Sequence, residues 1–269
     1  SDVTTDGVYG DLIDESILGA DKEHVAVSLF LPAERSVGEA AAFLRERFAA
    51  AGMTVTLSTE GMREEDWAES WKQYYKPIPL GKVTVVPAWQ EYTPAPGEKI
   101  IRMDPGMAFG TGTHETTRLV MRFLQDTIAG GERVLDLGCG SGILSLCASK
   151  LGAAFCAAYD IDPVAVRVAE ENIRADGADN IVCGTSDLLA SVDLSGGTYD
   201  FVVANIVADV IIRLLPDVGA YMTEGGRMIV SGIISPRAEE VYAAIAANGF
   251  TVVEERREND WLAILIRRN

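Results

Sequence analysis

Between Val134 and Leu151 the chain places Asp136, Gly138, Gly140 and Gly142 at alternate positions. Val134, Leu135 and Leu137 read as a strand, and Ile143 to Leu151 reads as a helix closed by Gly152. A strand, a glycine-rich turn and a helix in that order make a nucleotide cradle. Glycine accepts the positive φ of a tight turn and lets backbone N–H groups come close to a ligand. A dinucleotide fingerprint needs the spacing G-x-G-x-x-G. The spacing here is G-x-G-x-G, which argues against NAD and hydride transfer.

The run D-x-G-x-G-x-G resembles the first motif of doubly wound S-adenosylmethionine-dependent methyltransferases. Gly138 and Gly140 would then lie against the methionine portion of the cofactor. Asp136 would bind its ammonium group, directly or through water, or else hold the turn. Asp160 ends the next apolar run, 22 residues after Gly138. A carboxylate there can accept from both ribose hydroxyls with its two oxygens. Asp162 competes for that role but reads as a helix cap. Asp187 follows the third apolar run, as an acceptor for the adenine amino group or as a plain turn residue. Asn205 closes the fourth. Its carbonyl can orient an amine through N–H while the lone pair faces the methyl donor; the alternative is a strand-end amide that satisfies local backbone.

A second chemistry-bearing stretch, Asp104 to Thr117, holds three glycines and four threonines ahead of a helix at about 115 to 129. Thr113 reads as its N-cap. The glycine density favours a loop that covers a ligand. Thr113 and Thr116 are expected to join Asn205 in a polar, mostly uncharged acceptor pocket. No general base stands out, and His114 reads as helix-start packing.

The elements that must position these residues follow from the pattern. After Arg133, strands at Phe155–Tyr159, Ile181–Gly184, Tyr199–Ala204 and Arg227–Ser231 alternate with helices at 163–175, 208–222 and 235–248. Asp162 with Pro163 opens the first of these helices. Such alternation implies an α/β, doubly wound, mostly parallel sheet with helices on both faces. The hairpin Phe250–Arg256 and Trp261–Arg267 would add one antiparallel strand. Upstream, strands at 24–31 and 53–57 alternate with helices at 36–52 and 65–75, which suggests a small α+β domain over residues 1–76. Crowded Pro and Gly residues mark 77–98 as a linker, with one strand at Val83–Val86. A short strand at Ile100–Met103 opens the larger domain, 99–269.

The net charge of −17 removes free nucleic acid as a primary partner, since phosphate contacts need a basic face. It would attract a basic protein, or serve solubility alone. No apolar run of about 18 residues appears, so no membrane span is expected, and the polar, acidic start is unlike a signal peptide. Four cysteines without a C-x-x-C pair read as free thiols of a reducing, cytoplasmic compartment. With two histidines besides, no metal site is expected.

The stretch D-P-G-M-A-F-G-T-G-T-H-E-T-T at 104–117 is far more specific than a glycine turn. It resembles the signature of the bacterial ribosomal protein methyltransferases that act on large-subunit protein eleven. D-L-G-C-G-S-G-I-L, D-I-D-P and A-N-I-V-A follow in the same order, and Trp71, Tyr75, Pro77 and Gly81 precede it. The resemblance covers about residues 65 to 269. It implies a small N-terminal substrate-recognition domain, a linker and a catalytic domain using S-adenosyl-L-methionine. It also implies N-methylation of lysine side chains and of an N-terminal amine on a basic ribosomal protein. Carried over by position, cofactor contacts would include Thr117, Gly138, Asp160 and Asn205. Glu115 and Val207 stand where the family usually has Pro and Leu.

Overall fold

The computed structural model describes Phe48, residues 76 to 104, Gly112 and residues 114 to 269. The strands and helices expected before residue 76 lie outside the described residues, apart from Phe48, which is helical. Thr113 lies outside them too. The chain divides into two compact units, Ser1–Tyr74 and Tyr75–Asn269, and every element below belongs to the second.

That unit begins with three short strands, β1 (Ile78–Leu80), β2 (Val83–Pro87) and β3 (Lys99–Met103). β1 pairs antiparallel with β2, and β2 pairs parallel with β3. The stretch rich in Pro and Gly therefore folds into part of a small sheet. There follow α1 (Glu115–Thr127), β4 (Arg133–Leu137), α2 (Ile143–Leu151), β5 (Phe155–Asp160) and α3 (Pro163–Asp176). β6 (Ile181–Thr185), β7 (Tyr199–Asn205), α4 (Ala208–Val218) and β8 (Met222–Ile234) come next. α5 (Ala238–Ala247), β9 (Phe250–Glu258) and β10 (Trp261–Arg268) close the chain.

The large sheet has seven strands in the order β6-β5-β4-β7-β8-β10-β9. β4 to β8 run parallel, and β10 is antiparallel to both neighbours. Each strand alternates two faces, as a pleat of period two requires. Val134, Phe201, Val203, Ile229 and Leu265 pack with α1, α2 and the small sheet. Leu135, Leu137, Val202, Val230 and Ile264 pack with α4 and α5 on the other side. Burial on both faces explains why the strands read as continuous apolar runs. Strand order reverses between β4 and β7, so a crevice opens beyond their carboxyl ends.

Most element boundaries match the pattern, and three differ for physical reasons. The helix expected over 208–222 stops at Val218, followed by a 3-10 turn at Gly219–Tyr221. Met222 belongs to β8 because it is fully buried opposite Tyr199. β8 is thus longer than the expected Arg227–Ser231, and the pairing shifts register before Phe201 to admit Thr223–Gly226. The N-cap of α1 is His114, not Thr113: its side chain accepts from the Thr116 N–H. The Asp162 side chain caps α3 as expected, accepting from Val164 N–H at 2.8 Å.

Gln125 pins the small sheet to α1. Its Oε1 accepts from Lys82 N–H at 2.6 Å, and its Nε2 donates to Leu80 O at 2.8 Å. The pair bridges the turn whose hydrogen bonds β1 and β2 cannot supply. Gln125→Ala leaves the buried Leu80 carbonyl unmet and frees the part-buried Lys82 N–H to water, so it should cost about 1 to 3 kcal/mol of unfolding free energy. Urea denaturation followed by circular dichroism measures that loss.

Candidate active site

The turn from β4 into α2 is the floor of the crevice. Gly138, Gly140 and Gly142 all have positive φ, at 74°, 52° and 80°. A side chain at any of them would be strained. A Cβ on Gly138 would also stand 2.4 Å from Ile206 Cγ2. The Gly138 and Cys139 N–H groups donate to Tyr159 O at 2.8 and 3.0 Å. Gly140 N–H donates to Asp160 Oδ2 at 2.9 Å, and Asp162 N–H donates to Asp160 Oδ1 at 3.0 Å. Each Asp160 oxygen keeps acceptor capacity beyond these bonds.

Above this turn lies a cavity of about 590 Å³ at the carboxyl ends of β4, β5 and β7. That volume suits a small-molecule cofactor. Thr116, Gly138, Gly140, Asp160, Asp187 and Asn205 are the residues read from the sequence that line it. Thr117 and Asp136 are fully buried and do not line it. Much of the remaining wall is apolar: Leu137, Ile161, Ile206, Val207 and Val210. Ile161 and Val207 are more than 60% exposed at its mouth.

Asn205 ends β7 and is half-buried. Its Nδ2 makes a long contact of 3.5 Å with Thr117 Oγ1, and its buried Oδ1 has no hydrogen-bond partner. An unmet buried acceptor costs free energy, and this one belongs to a residue of the cavity wall. Thr116 Oγ1 lies 2.9 Å from His114 Nδ1. The His114 ring meets the Trp261 ring edge-on with centroids 5.0 Å apart. Asp187 Oδ1 is 3.3 Å from Arg213 Nη2 on α4, an exposed pair.

Asp136 has no exposure at all. Burial pushes its carboxyl up to about 6, the Asp160 charge adds to this, and two hydrogen bonds from Ser145 pull the other way. Ser145 Oγ–H and N–H donate to Oδ2 at 2.7 and 3.1 Å, while Oδ1 has no partner. The four cysteines are free thiols, three buried and Cys183 half-buried. Burial raises the pKa of all four, so they are poor nucleophiles. Among the described residues no cluster of His, Cys, Asp or Glu could hold a metal ion.

Pattern reading missed Trp261, Ser186, Arg213 and Gly232 in the cavity wall. Trp261 arrives only through the antiparallel register that sets it opposite Ile234. Gly232 is forced by Ile206: a Cβ there would meet Ile206 O at 2.4 Å. Neither constraint leaves a local sequence signal.

A parallel sheet with this strand order, a left-handed glycine turn after β4 and an acid at the end of β5 define a doubly wound, S-adenosylmethionine-dependent methyltransferase. The comparisons with known proteins agree and narrow the class. The family model for ribosomal protein L11 methyltransferases (PrmA) matches residues 8–269, further than the resemblance read from about residue 65. The chain belongs to that family. It is 44% identical over 265 residues to the ribosomal protein L11 methyltransferase of Caldanaerobacter subterraneus subsp. tengcongensis, covering 96% of this chain and 84% of that protein. The corresponding Exiguobacterium protein is 50% identical over 207 residues, 76% of this chain and 65% of its own length. The crystal structure of a ribosomal protein L11 methylase from Lactobacillus delbrueckii subsp. bulgaricus superposes with a TM-score of 0.68 at 36% identity. The match covers 72% of this chain and all of that one. The chain is thus an enzyme, a protein methyltransferase whose cofactor is S-adenosyl-L-methionine.

The residues present fit that cofactor. The turn presents backbone, Asp160 keeps acceptor capacity toward hydroxyls, and the buried Asn205 oxygen at the cavity wall is unmet. The raised pKa of Asp136 has a consequence for the ligand-free protein. A folded value of about 6 against an ordinary 3.8 contributes stability below the ordinary value and loses it as pH rises through 6. Relative to Asp136→Asn, the parent protein should lose about 2 kcal/mol of unfolding free energy between about pH 4 and pH 7. Urea titrations of both proteins at the two pH values measure the difference; a constant gap would contradict the assignment.

Proposed function

We propose that the chain methylates amines of ribosomal protein L11, both lysine side chains and the N-terminal amine. Its relatives carry that substrate in their names, and a net charge of −17 complements a basic ribosomal protein. Residues 1–76 serve as the substrate-recognition domain, 77–98 lead from it, and 99–269 hold the catalytic site. Among the described residues no helix is long and apolar enough to cross a membrane; a ribosomal substrate supports a cytoplasmic location.

The observation that carries the reading is the unmet Asn205 Oδ1 beside the cavity. Bound S-adenosyl-L-methionine would supply a methyl carbon for the amine lone pair to attack, with the carbon–sulfur bond breaking and the thioether as leaving group. The protein's share is to hold the amine in line and to keep it neutral. Asn205 Oδ1 accepts one amine N–H and so aims the lone pair. Thr116, steadied by His114, and Thr113 complete the acceptor pocket. Gly138 and Gly140 lie against the methionine portion; Asp136, sealed beneath them, acts on its ammonium group through water or holds the turn through Ser145. Asp160 accepts from the ribose hydroxyls, Asp187 accepts from the adenine amine, and Thr117 supports the site from behind Asn205.

Deprotonating a free lysine at pH 7 costs about 4.6 kcal/mol. The apolar wall of Leu137, Ile206, Val207 and Val210 lowers that cost by disfavouring the ammonium form. The departing proton passes to water at the mouth.

Labelled S-adenosyl-L-methionine incubated with purified L11 should yield methylated L11, and an unlabelled L11 would refute the substrate. Asn205→Ala should lower kcat about a hundred-fold and change cofactor Kd less than about three-fold. Equal losses in both would reduce Asn205 to a cofactor contact. Because only the neutral amine reacts, kcat/KM for the lysine side chains of L11 should rise about ten-fold per pH unit between about pH 6.5 and 8.5, while that for the N-terminal amine should level off near pH 8.

A further inference from the structure

Helix α3 meets the glycine turn along one face. A Cβ on Gly142 would stand 3.1 Å from Ala169 Cβ, so turn and helix are in near contact. Almost one turn further along α3 sits Asn172, only 1% exposed. Its Nδ2 donates to Ser141 O at 2.9 Å, between Gly140 and Gly142. Its Oδ1 accepts from Asp104 N–H at 2.8 Å, just past the end of β3. Four residues on, Asp176 Oδ1 accepts from Arg102 N–H at 2.8 Å. Asp176 Oδ2 pairs with Lys150 Nζ of α2 at 2.6 Å.

β3 is an edge strand of the small sheet. The N–H groups of Arg102 in β3 and of Asp104 just beyond it find acceptors on α3, at positions i+4 and i of one helical face. The two anchors differ in reach. Asp176 joins β3 to helix α2. Asn172 joins β3 to the turn itself, and it needs both ends of an amide to do so: a carboxylate could not donate, and a hydroxyl could not span the gap.

We propose that Asn172 is a positioning residue of the cofactor site. One buried amide fixes the Ser141 carbonyl, and so the path of the glycine turn, in the same frame as the chain at Asp104. The turn and the chain at Asp104 are therefore held at a set separation before any ligand arrives, and the turn keeps its path along the cavity floor. The inference rests on the reading that the cofactor lies on this turn.

The test compares Asn172→Ala and Asn172→Asp with the parent protein and with Asp160→Ala. Calorimetry gives the Kd for S-adenosyl-L-methionine, turnover of L11 gives kcat and KM, and melting gives Tm. Asn172→Ala should raise both Kd and the cofactor KM about ten-fold, with kcat at saturation changed less than about three-fold. Asn172→Asp keeps the acceptor for Asp104 N–H and sets a carboxyl against the Ser141 carbonyl. Relative to the parent at each pH, its affinity should be weak at pH 8 and recover toward pH 5.5, where the protonated carboxyl donates to Ser141 O. The comparison at each pH removes the titration of Asp136, whose pKa of about 6 falls in the same range; Asp176, paired with Lys150, and Asp104 are the other charged residues beside Asn172. A lower Tm with an unchanged Kd would overturn the proposal, and so would a loss in Asn172→Asp that ignores pH. If Asp160→Ala also leaves Kd unchanged, the placement of the cofactor fails as well; if Asp160→Ala weakens binding and the Asn172 variants do not, the inference alone fails.

Discussion

Three backbone N–H groups of the turn after β4 are answered from the end of β5. Gly138 and Cys139 donate to Tyr159 O, and Gly140 donates to Asp160 Oδ2. The turn has no helix or strand partner for these donors, and leaving them unmet would cost about 1 to 3 kcal/mol each. The tips of two neighbouring parallel strands are thereby locked at a fixed offset. Everything in the crevice is measured from that lock. Asp160 serves on both sides of it, holding the turn through one set of lone pairs and facing the cavity with the rest. A change at Asp160 thus disturbs the floor as well as any hydroxyl it would bind.

The same region stores unfavourable terms that a folding optimum would not keep. Asp136 is a wholly buried carboxyl with one oxygen unmet, and Asn205 keeps an unmet buried acceptor at the cavity. Two hydrogen bonds from Ser145 offset part of the burial of Asp136 but do not cancel it. Ordinary cores remove such groups. Here Asn205 stands in the cavity wall, where an arriving donor would relieve its cost, while Asp136 is sealed beneath the turn and holds it through Ser145. The surrounding sheet, apolar on both faces, supplies the stability that permits the exception.

Much of this was legible in the residues. The alternation after Arg133 sets the sheet, and the D-x-G-x-G-x-G spacing sets the cofactor class. Asp160, Asp187 and Asn205 stand at strand ends where chain direction alone would put them. The misses share one cause. Met222 looks helical by composition, and only its burial opposite Tyr199 makes it a strand residue. Trp261, Arg213 and Gly232 reach the cavity through pairing register and helix packing between distant segments. His114 rather than Thr113 caps α1 because a ring nitrogen can accept as a hydroxyl does, a choice that cap preferences rank low. Local pattern carries period and turn chemistry; it does not carry which side chains two remote elements bring together.

Two electrostatic requirements on the proposed reaction oppose each other and are separated by distance. Approach favours a charged amine, because an acidic protein draws a basic partner. Transfer requires a neutral one, because a protonated amine has no lone pair to offer. Long-range attraction acts across solvent over a Debye length of about 8 Å at physiological salt. Desolvation acts only once the amine is inside the apolar wall of the cavity. A carboxylate aimed at the amine would merge the two and hold the proton on. Asn205 instead offers an uncharged acceptor there, which orients the nitrogen without raising its pKa as a full negative charge would. The reading of Asn205 as the orienting group therefore follows from what the position lacks, a charge, as much as from the oxygen it presents.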